Sequence, residues 1–321
     1  MKELSIQACV ANVIEQAQGV VSLELHRPDN TPLPPFSPGA HIDVHLPNGL
    51  IRQYSLYNSD YDGERYKIAV LLEPQGRGGS KAVHDMIRAG DTVEISGPRN
   101  HFPLVEADHS ILLAGGIGIT PIYCMAQALS RKAKSFELHY CCRSASKAAF
   151  VNDIKESDLT DFSQFYFDDD QTDPVFDIES ILLQSPNNSH LYVCGPKGYI
   201  DYVINAATKL GWPKDRIHFE FFSAPGHAAT DEGNEFYLQL ARSEKHYFVP
   251  KNKTALQVLL ENGHDIPVSC EQGVCGSCAT KVLAGEPEHN DVFLTDSERA
   301  SNAVFTPCCS RSLSPELVLD L

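Results

Sequence analysis

Cysteines are concentrated in the last quarter of the chain, and their spacing gives the first sign of chemistry. Three of them lie in the segment Cys270-Glu-Gln-Gly-Val-Cys275-Gly-Ser-Cys278, and Cys308 follows at a distance. A C-x4-C-x2-C segment with one distant cysteine is the spacing of plant-type [2Fe–2S] clusters, in which four thiolates bind two irons. The sequence therefore predicts a cluster bound by these four cysteines, and with it one-electron chemistry.

The loop that carries the first three cysteines must turn tightly, and its glycines suit that role. Gly273 and Gly276 can adopt the dihedral angles that let backbone N–H groups point at sulfur. A zinc site is the main alternative, but zinc sites usually pair one C-x2-C with a second or with histidines. The fourth ligand is open between Cys308 and Cys309. The plant-type spacing favours Cys308, and both cannot easily bind because consecutive strand residues point to opposite faces.

A glycine-rich segment, Ala114–Pro121, follows a continuous apolar run and precedes a helical pattern. Glycines there let the backbone approach a pyrophosphate, whose charge the start of a helix favours. Pro121 replaces the third glycine of a dinucleotide fingerprint, so a turn without a ligand is equally compatible. Cys194-Gly195-Pro196, which ends a later buried strand, favours a nucleotide site. Arg143 and Ser144 follow the intervening strand, where an adenosine ribose would lie, although a solvated surface arginine is an equal alternative.

Two short segments near the start of the chain could bind a flavin. Arg52-Gln53-Tyr54-Ser55 offers an arginine for a phosphate, an aromatic ring for a flavin ring and a hydroxyl for its N5. Gly78-Gly79-Ser80 precedes a predicted helix over Lys81–Arg88, with Ser80 as N-cap, and the start of a helix favours phosphate. Taken alone, ordinary strand sequence and a capped helix without a ligand explain both segments at least as well.

The elements that must position these segments change in kind along the chain. Short strands between Pro and Gly clusters in the first hundred residues predict a small antiparallel β-barrel. Strands that alternate with helices from about residue 110 predict a parallel α/β sheet covered on both faces. A polar linker, Ser223–Asn234, precedes a third unit that contains the cysteine loop. The predicted strands are Val20–Leu25, Ala40–Leu46, Tyr66–Val70, Asp91–Ile95, Ser110–Ala114, Phe136–Tyr140, His190–Cys194, Phe236–Leu240 and Tyr247–Val249, and the further predicted helices are Pro121–Arg131, Val175–Leu183, Tyr199–Leu210 and Ala255–Glu261.

Composition limits the classes of function. The chain has 321 residues, of which 42% are hydrophobic and 21% charged, as in globular proteins of two or three domains. A net charge of −16 repels phosphate backbones, so we expect no nucleic-acid partner. No apolar stretch is long enough to span a bilayer, and Met1–Ser5 does not begin a secretory signal. We therefore expect no membrane partner and a cytoplasmic location.

Taken together, the segments resemble the phthalate dioxygenase reductase family, within the ferredoxin–NADP⁺ reductase superfamily. Reductase subunits of aromatic O-demethylases and of carnitine-type monooxygenases are similar too. The resemblance covers nearly the whole chain and rests on Arg52–Ser55, Gly78–Ser80, Gly115–Pro121, Cys194–Pro196, His218-Phe219-Glu220 and the cysteine set. It implies an FMN-binding β-barrel domain over 1–104, an NAD-binding α/β domain over 105–228 and a β-grasp plant-type ferredoxin domain over 235–321.

By that resemblance, the cofactors are FMN, NADH and a [2Fe–2S] cluster, and the electron acceptor is a Rieske-type non-haem iron oxygenase. Ser55 and Cys194 would be the catalytic residues. Ser55, with Tyr54, would contact the isoalloxazine, and Cys194 the nicotinamide. Phe222 would cover the flavin. The other implied contacts are Arg52, Gly79 and Ser80 at the FMN phosphate and Gly116, Gly118 and Thr120 at the NADH pyrophosphate.

The resulting hypothesis is a reductase in which electrons pass from NADH through FMN and the cluster to a separate oxygenase. A flavin belongs between the other two carriers because NADH delivers two electrons together and the cluster takes one. A self-contained oxidase or ferric reductase is a rival, but the thirteen histidines show no haem or mononuclear-iron ligand set. The alternative from another class is a stand-alone electron carrier or redox sensor, which would show no steady NADH consumption with an artificial acceptor.

Overall fold

A computed structural model describes residues 5–60, 63–169, 175–222 and 234–321. The chain folds as two compact units, Met1–Glu220 and Phe221–Leu321. The first unit holds both the predicted barrel and the predicted parallel sheet, and the second holds the cysteines of the loop. The predicted linker Ser223–Asn234 lies, apart from its last residue, outside the described residues.

Six antiparallel strands form the barrel. Their order is β4-β3-β6-β1-β2-β5, and a bridge between Leu56, directly after β4, and Ile68 of β5 closes the ring. Alternate side chains fill the interior, where Leu23, Ile42 and Ile95 are fully buried, and burial of each contributes about 1.5–3 kcal/mol. The strands are β1 (Ser5–Ala17), β2 (Val20–His26), β3 (His41–His45), β4 (Ile51–Ser55), β5 (Tyr66–Leu71) and β6 (Thr92–Ser96).

The helix between β5 and β6 differs from its prediction at both ends. This helix, α1, spans Gly79–Met86, and its N-cap is Gly78 with φ +85°. Ser80 lies inside the helix, and its hydroxyl accepts a hydrogen bond from the Glu73 N–H at 2.9 Å. The prediction of Ser80 as N-cap is therefore wrong, because a tertiary contact occupies its hydroxyl and a glycine in the left-handed region begins the helix instead. The helix ends before Ile87, whose backbone is extended and whose side chain is buried.

Five parallel strands form the second sheet of this unit, in the order β11-β10-β7-β8-β9. Four consecutive residues of β7, from Ile111 to Ala114, are fully buried, so both faces of the sheet are covered, as predicted. The strands are β7 (His109–Gly115), β8 (Ser135–Cys142), β9 (Ser163–Phe167), β10 (Ser189–Cys194) and β11 (Ile217–Glu220), and the helices are α2 (Ile119–Arg131), α3 (Val151–Lys155), α4 (Ile178–Gln184) and α5 (Lys197–Lys209).

The predicted start of α4 at Val175 is also wrong. Val175 is 89% exposed and precedes the helix, which begins at Ile178. Asp177 is the N-cap, and its side chain accepts a hydrogen bond from the Ser180 N–H at 3.2 Å. The hydrophobic pattern continues through Val175, but the capping carboxylate determines where the helix begins.

The second compact unit contains a mixed sheet in the order β13-β12-β18-β14-β16, with β12 and β18 parallel. Helix α6 begins with a capping box between Thr254 and Gln257 and buries Leu256 and Leu259 in the core of this unit. This is the β-grasp arrangement that was predicted. The elements are β12 (Phe236–Leu240), β13 (Lys245–Val249), α6 (Ala255–Glu261), β14 (Thr280–Ala284), β15 (Pro287–Glu288), α7 (Asp296–Ser301), β16 (Val304–Phe305), β17 (Arg311–Ser312) and β18 (Glu316–Leu319).

Across the described ranges, no helix combines the length and the apolar character that crossing a membrane requires.

Candidate functional site

The centre of the parallel sheet is the point where the strand order reverses, between β7 and β10. Ligands of open α/β sheets bind outside the carboxyl ends of the strands at such a point. The loops after β7 and β10 touch there through their backbones. A Cβ added at Gly118 would lie 2.2 Å from the Cys194 carbonyl oxygen, and one added at Gly195 would lie 2.9 Å from Gly115 Cα. Only glycine permits this approach, so the structure brings together the two glycine segments singled out in the sequence.

The rest of the first loop leads into helix α2. Gly116 has φ +53° and open space where a side chain would begin, so its backbone is accessible to a ligand. A short 3₁₀ turn over Gly116–Gly118 joins directly to the helix. Thr120 is buried, and its hydroxyl donates to the Ile117 carbonyl oxygen at 3.1 Å, which braces the turn.

Arg143 and Ser144 follow β8 at the same edge of the sheet. Arg143 is exposed, and the Ser144 hydroxyl lies 3.0 Å from that of Ser146. Asp168 directly follows β9, and its N–H donates to the Cys142 carbonyl oxygen at 3.2 Å. A cation and an anion therefore share the edge at which an adenosine ribose is expected.

The predicted flavin-phosphate residues meet at the start of α1. The side chain of Arg52 crosses Gly79 so closely that a Cβ there would lie 2.7 Å from Arg52 Nε. Arg52 Nη1 also donates to the Ile51 carbonyl oxygen at 2.7 Å. A buried guanidinium beside the first residues of an eight-residue helix is a suitable environment for a phosphate. On the same strand, Tyr54 packs against the barrel core, and burial raises the pKa of its phenol.

Ser55 lies at the end of β4, where the barrel meets the parallel sheet. Its hydroxyl donates to Glu220 Oε2 at a long 3.5 Å. Glu220 ends β11 and stands beside Cys194 in the ladder with β10. Burial raises the pKa of Glu220 to about 8, against a smaller lowering by the hydrogen bond from Ser55. Burial likewise raises the pKa of the Cys194 thiol, and the nearby Glu220 adds to the rise.

Glu220 is the site residue that sequence reasoning did not single out. It belongs to the segment His218-Phe219-Glu220, on which the family resemblance partly rests, but no local spacing links it to Ser55 or Cys194. Only the strand order brings the three together.

Phe222, predicted to cover the flavin, is 36% exposed and lies in the second compact unit, just after β11.

In the second unit, the four predicted cluster ligands are buried in two pairs. Cys270 and Cys275 share a hydrogen bond between their thiols, as do Cys278 and Cys308. The thiol of Cys270 and the hydroxyl of Ser277 lower the pKa of Cys275. Two thiols for each of two irons is the arrangement that a [2Fe–2S] cluster requires. By contrast, no three His, Cys, Asp or Glu side chains in the described part of the chain converge on a point suited to one ion.

Backbone N–H groups of the cysteine loop point at sulfur. The Gln272 N–H donates to Cys270 Sγ at 3.2 Å and the Ser277 N–H to Cys275 Sγ at 3.4 Å. Gly273 and Gly276 have φ of +70° and +69°, the left-handed region that such a turn requires. These contacts agree with the role predicted for the two glycines.

Cys308 and Cys309 have different surroundings. Cys308 contacts Cys278, whereas the Cys309 sulfur lies 3.2 Å from Thr306 Oγ1 and 3.7 Å from Ser310 Oγ. Cys308 also shares a hydrogen bond with Cys309, so the two thiols are in contact, and Cys308 as the fourth ligand stays a prediction from the plant-type spacing.

Comparisons with known protein families assign a domain to each of the three regions. Residues 11–103 match an oxidoreductase FAD-binding domain, residues 112–204 an oxidoreductase NAD-binding domain, and residues 238–313 a 2Fe–2S iron–sulfur cluster binding domain. These matches confirm the predicted fold class and the prediction of flavin, NAD and a [2Fe–2S] cluster.

Individual relatives match along the full chain. The vanillate O-demethylase oxidoreductase of Pseudomonas sp. (strain HR199 / DSM 7063) is 49% identical over 306 residues, which cover 95% of this chain and 96% of the relative. The phthalate dioxygenase reductase of Burkholderia cepacia is 39% identical over 314 residues, with 97% and 96% coverage. A solved structure of phthalate dioxygenase reductase, described as modular for electron transfer from pyridine nucleotides to [2Fe–2S], has a TM-score of 0.80 and 38% identity, covering 99% of this chain and 98% of that one.

Proposed function

Because the chain belongs to the phthalate dioxygenase reductase family, we propose that it carries electrons from NADH through FMN and a [2Fe–2S] cluster to a Rieske-type oxygenase. The observation that carries this proposal is the meeting of Ser55, Cys194 and Glu220, which joins the barrel to the nucleotide edge of the parallel sheet. A flavin supplies the exchange between a hydride and single electrons that such a path needs. The name of the relative phthalate dioxygenase reductase refers to a dioxygenase, which supports an oxygenase as the partner.

In this proposal, the barrel residues hold and orient the flavin. Arg52 and the first turn of α1, at Gly79 and Ser80, bind the phosphate, since the guanidinium already lies against Gly79. Tyr54 supplies an aromatic surface for the ring, and the Ser55 hydroxyl donates toward N5. The hydroxyl of Ser55 has only a long contact with Glu220, so it can exchange that acceptor for a ligand.

The loops of the parallel sheet hold NADH. The open space beside the Gly116 backbone and the start of α2 favour the pyrophosphate, while Gly118 keeps the loop close to Cys194. Cys194 and Glu220 border the nicotinamide. Glu220 is protonated at neutral pH because burial raises its pKa to about 8. A neutral carboxyl beside Cys194 keeps negative charge away from the place at which a bound flavin would supply hydride chemistry.

The preference for NADH over NADPH is proposed from Asp168. The backbone N–H of Asp168 donates to the Cys142 carbonyl oxygen and holds this residue at the ribose edge. A carboxylate there would repel a 2′-phosphate and accept a hydrogen bond from a 2′-hydroxyl. Arg143, at the same edge, would instead attract a 2′-phosphate. The Asp168→Ser variant should therefore gain activity with NADPH, measured as the ratio of kcat/KM values for the two cofactors, and an unchanged ratio would contradict this role.

FMN rather than FAD is proposed from the family, since the comparisons support a flavin and do not distinguish between the two. Heat release of the flavin, followed by chromatography against FMN and FAD standards, distinguishes the two flavins.

Cys270, Cys275, Cys278 and Cys308 are the proposed cluster ligands, supported by their burial in two pairs. A cytoplasmic location remains a prediction.

An anaerobic visible spectrum of the purified protein, before and after NADH, tests the whole proposal. The expected result is loss of both the flavin and the iron–sulfur absorption, followed by steady NADH consumption with cytochrome c as acceptor. A flavin that bleaches while the cluster stays oxidised would contradict the internal path. Absence of both chromophores, in protein prepared with iron and without air, would overturn the proposal.

A further inference from the structure

Helix α2 starts at the nucleotide loop, and its side chains hold the barrel segment that follows β4. The Cys124 thiol donates to the Asn58 carbonyl oxygen, with 3.1 Å between sulfur and oxygen. Burial raises the pKa of this thiol to about 12, so it keeps its proton and can donate. Further along the helix, Gln127 Nε2 donates to the Tyr57 carbonyl oxygen at 2.8 Å. Two side chains of α2 thus bind consecutive backbone carbonyls of the barrel.

The last residue of α2 makes a third attachment to the same segment. Arg131 Nη1 donates to Ser59 Oγ at 2.7 Å, and Arg131 Nη2 lies 2.6 Å from Asp60 Oδ1. Positions 124, 127 and 131 are separated by three and four residues, so they lie on one face of the helix. This face therefore binds four consecutive residues, 57–60, and we call its three side chains the α2 strap.

On its other side, the segment is bound to the barrel strand β5. The Tyr57 N–H donates to the Lys67 carbonyl oxygen at 3.0 Å. The side chain of Asn58 accepts from the Lys67 N–H at 2.9 Å and donates to the Arg65 carbonyl oxygen at 2.9 Å. Asn58 is buried, with its side chain on the barrel and its carbonyl on α2. The helix and the barrel therefore cannot shift past each other here without breaking these bonds.

Both ends of this attachment lie next to segments that the proposed function assigns to cofactors. Tyr57 comes two residues after Ser55, the last residue of β4. Helix α2 begins directly after the turn Gly116–Gly118. Reacting atoms must approach to about 3–3.5 Å, and a displacement of about 1 Å can reduce the rate about 100-fold. The separation between the turn and Ser55 is thus a distance that a reductase must hold constant.

We propose that Cys124 and Gln127 are positioning residues that set this separation by binding the backbone of the segment that follows Ser55. Their effect passes through the carbonyls of Asn58 and Tyr57 to the end of β4. This inference rests on the proposed function, because it takes Ser55 as a flavin contact and the loop before α2 as the nucleotide site.

Two pairs of variants separate the hydrogen bonds from simple packing. Gln127→Met keeps an unbranched side chain of similar length and removes the N–H donor, whereas Gln127→Lys keeps an N–H donor. Cys124→Ala removes the S–H donor, whereas Cys124→Ser replaces it by an O–H donor. Ser130→Ala, at a half-buried position of the same helix that is not part of the α2 strap, is the matched control.

The first measurement involves no turnover. Hydrogen–deuterium exchange of the purified full chain, followed by mass spectrometry, reports local opening of the peptides that contain residues 56–60. Gln127→Met and Cys124→Ala should exchange there about 3- to 10-fold faster than the wild type, since each loses one hydrogen bond. The donor-keeping variants and Ser130→Ala should exchange as the wild type does. Peptides from β12 and β13, in the other compact unit, are the internal reference.

The second measurement is anaerobic stopped flow, in which the NADH dependence of flavin bleaching separates the limiting rate from the Kd for NADH. The limiting rate of Gln127→Met and of Cys124→Ala should fall about 10- to 100-fold, the scale of a displacement of up to about 1 Å. Their Kd for NADH should stay near the wild-type value, because the nucleotide loop itself is unchanged. Gln127→Lys and Cys124→Ser should recover most of the rate.

A wild-type limiting rate in both Gln127→Met and Cys124→Ala would overturn the inference, even if exchange is faster. Equal losses in the donor-keeping and donor-removing variants would also overturn it, since packing would then explain the effect. So would a weaker Kd for NADH that accounts for the whole loss. If Cys124→Ala does not fold, as judged by circular dichroism, the variants at the half-buried Gln127 decide alone.

Failure of the proposed function would look different. Wild-type protein whose flavin is not bleached by NADH would count against the proposed function. The exchange of residues 56–60 would still show whether the α2 strap holds this segment, so the two failures are distinguishable.

Discussion

The cysteine site and the flavin–nucleotide site are built in opposite ways. Three of the four cysteines lie on one short irregular loop, whose left-handed glycines turn N–H groups toward sulfur. Ser55, Cys194 and Glu220 instead end three regular strands, of which β4 is far in the chain from β10 and β11. The first site depends on local chain geometry, and the second depends on strand order. Substitutions should therefore damage the two sites independently and to different degrees.

Removal of one cluster ligand is the strongest test that the two sites can be damaged independently. We expect Cys275→Ser to lose the cluster absorption and to reduce electron delivery to cytochrome c by about 100-fold or more, beyond the usual cost of losing an outer-shell partner. NADH should still bleach the flavin, because that site lies in the other compact unit. Cys9→Ser, a change at a half-buried thiol in β1, is the control. Normal delivery by Cys275→Ser would mean that electrons bypass the cluster.

The second prediction concerns the contact between the two glycine loops. The Cβ of Gly118→Ala would lie 2.2 Å from the Cys194 carbonyl oxygen, so the loops must separate. Such overpacking costs about 1–3 kcal/mol, and kcat/KM for NADH with ferricyanide should fall about 10- to 100-fold. Gly198→Ala is the matched control. It meets nothing within 4 Å in helix α5 and should raise the free energy of unfolding by about 0.5–1 kcal/mol. Equal kinetics in both variants would refute the argument from close approach.

A smaller loss is expected at the flavin phosphate. Arg52→Gln removes the guanidinium that lies against Gly79. Charged hydrogen bonds contribute about 1.5–3 kcal/mol each, so the Kd for flavin, measured by fluorescence quenching, should rise about 10- to 100-fold while the cluster stays intact. Arg242→Gln, which breaks an exposed ion pair with Asp320 in the other unit, controls for the loss of charge. Equal flavin affinity in the two variants would contradict a role for Arg52 in binding the flavin phosphate.

The smallest effect concerns the pH dependence at Glu220. Burial raises its pKa from 4.5 to about 8, so the carboxyl is half ionised near pH 8 and its charge then disfavours hydride transfer. The rate of anaerobic flavin reduction by NADH, followed by stopped flow, should fall as pH passes about 8. Glu220→Gln should show a flatter profile. Identical profiles would show that another group titrates.

The contribution of Glu220 to the free energy of unfolding should also decrease as pH rises. Below about pH 4.5 the carboxyl is protonated in both the folded and the unfolded chain, so its contribution to stability is fully present. As pH rises toward 8, the unfolded chain binds fewer protons than the folded one, and that contribution is lost. The melting temperature of the wild type, relative to Glu220→Gln, should therefore fall over this range.

The same contrast explains what could be predicted from sequence. The cysteine loop could be predicted because its ligand spacing and its glycines are local, and the structure buries those cysteines close to one another. The apolar strands of the parallel sheet were readable because both faces are buried. Ser80 was misassigned because its hydroxyl bonds to Glu73 rather than to its own helix. Glu220 was missed because its neighbours come from β4 and β10. No short sequence motif contains all three residues.

The pairing of Ala114 with Cys194 in neighbouring strands also has a consequence in time. The chain between them must be synthesised and ordered before the two glycine loops can meet, and such distant contacts form slowly. A nascent chain that has completed β7, α2 and β8 would hold only half of its nucleotide pocket. We therefore expect NADH affinity to arise as one of the last events of folding in the first unit, well after the barrel has closed.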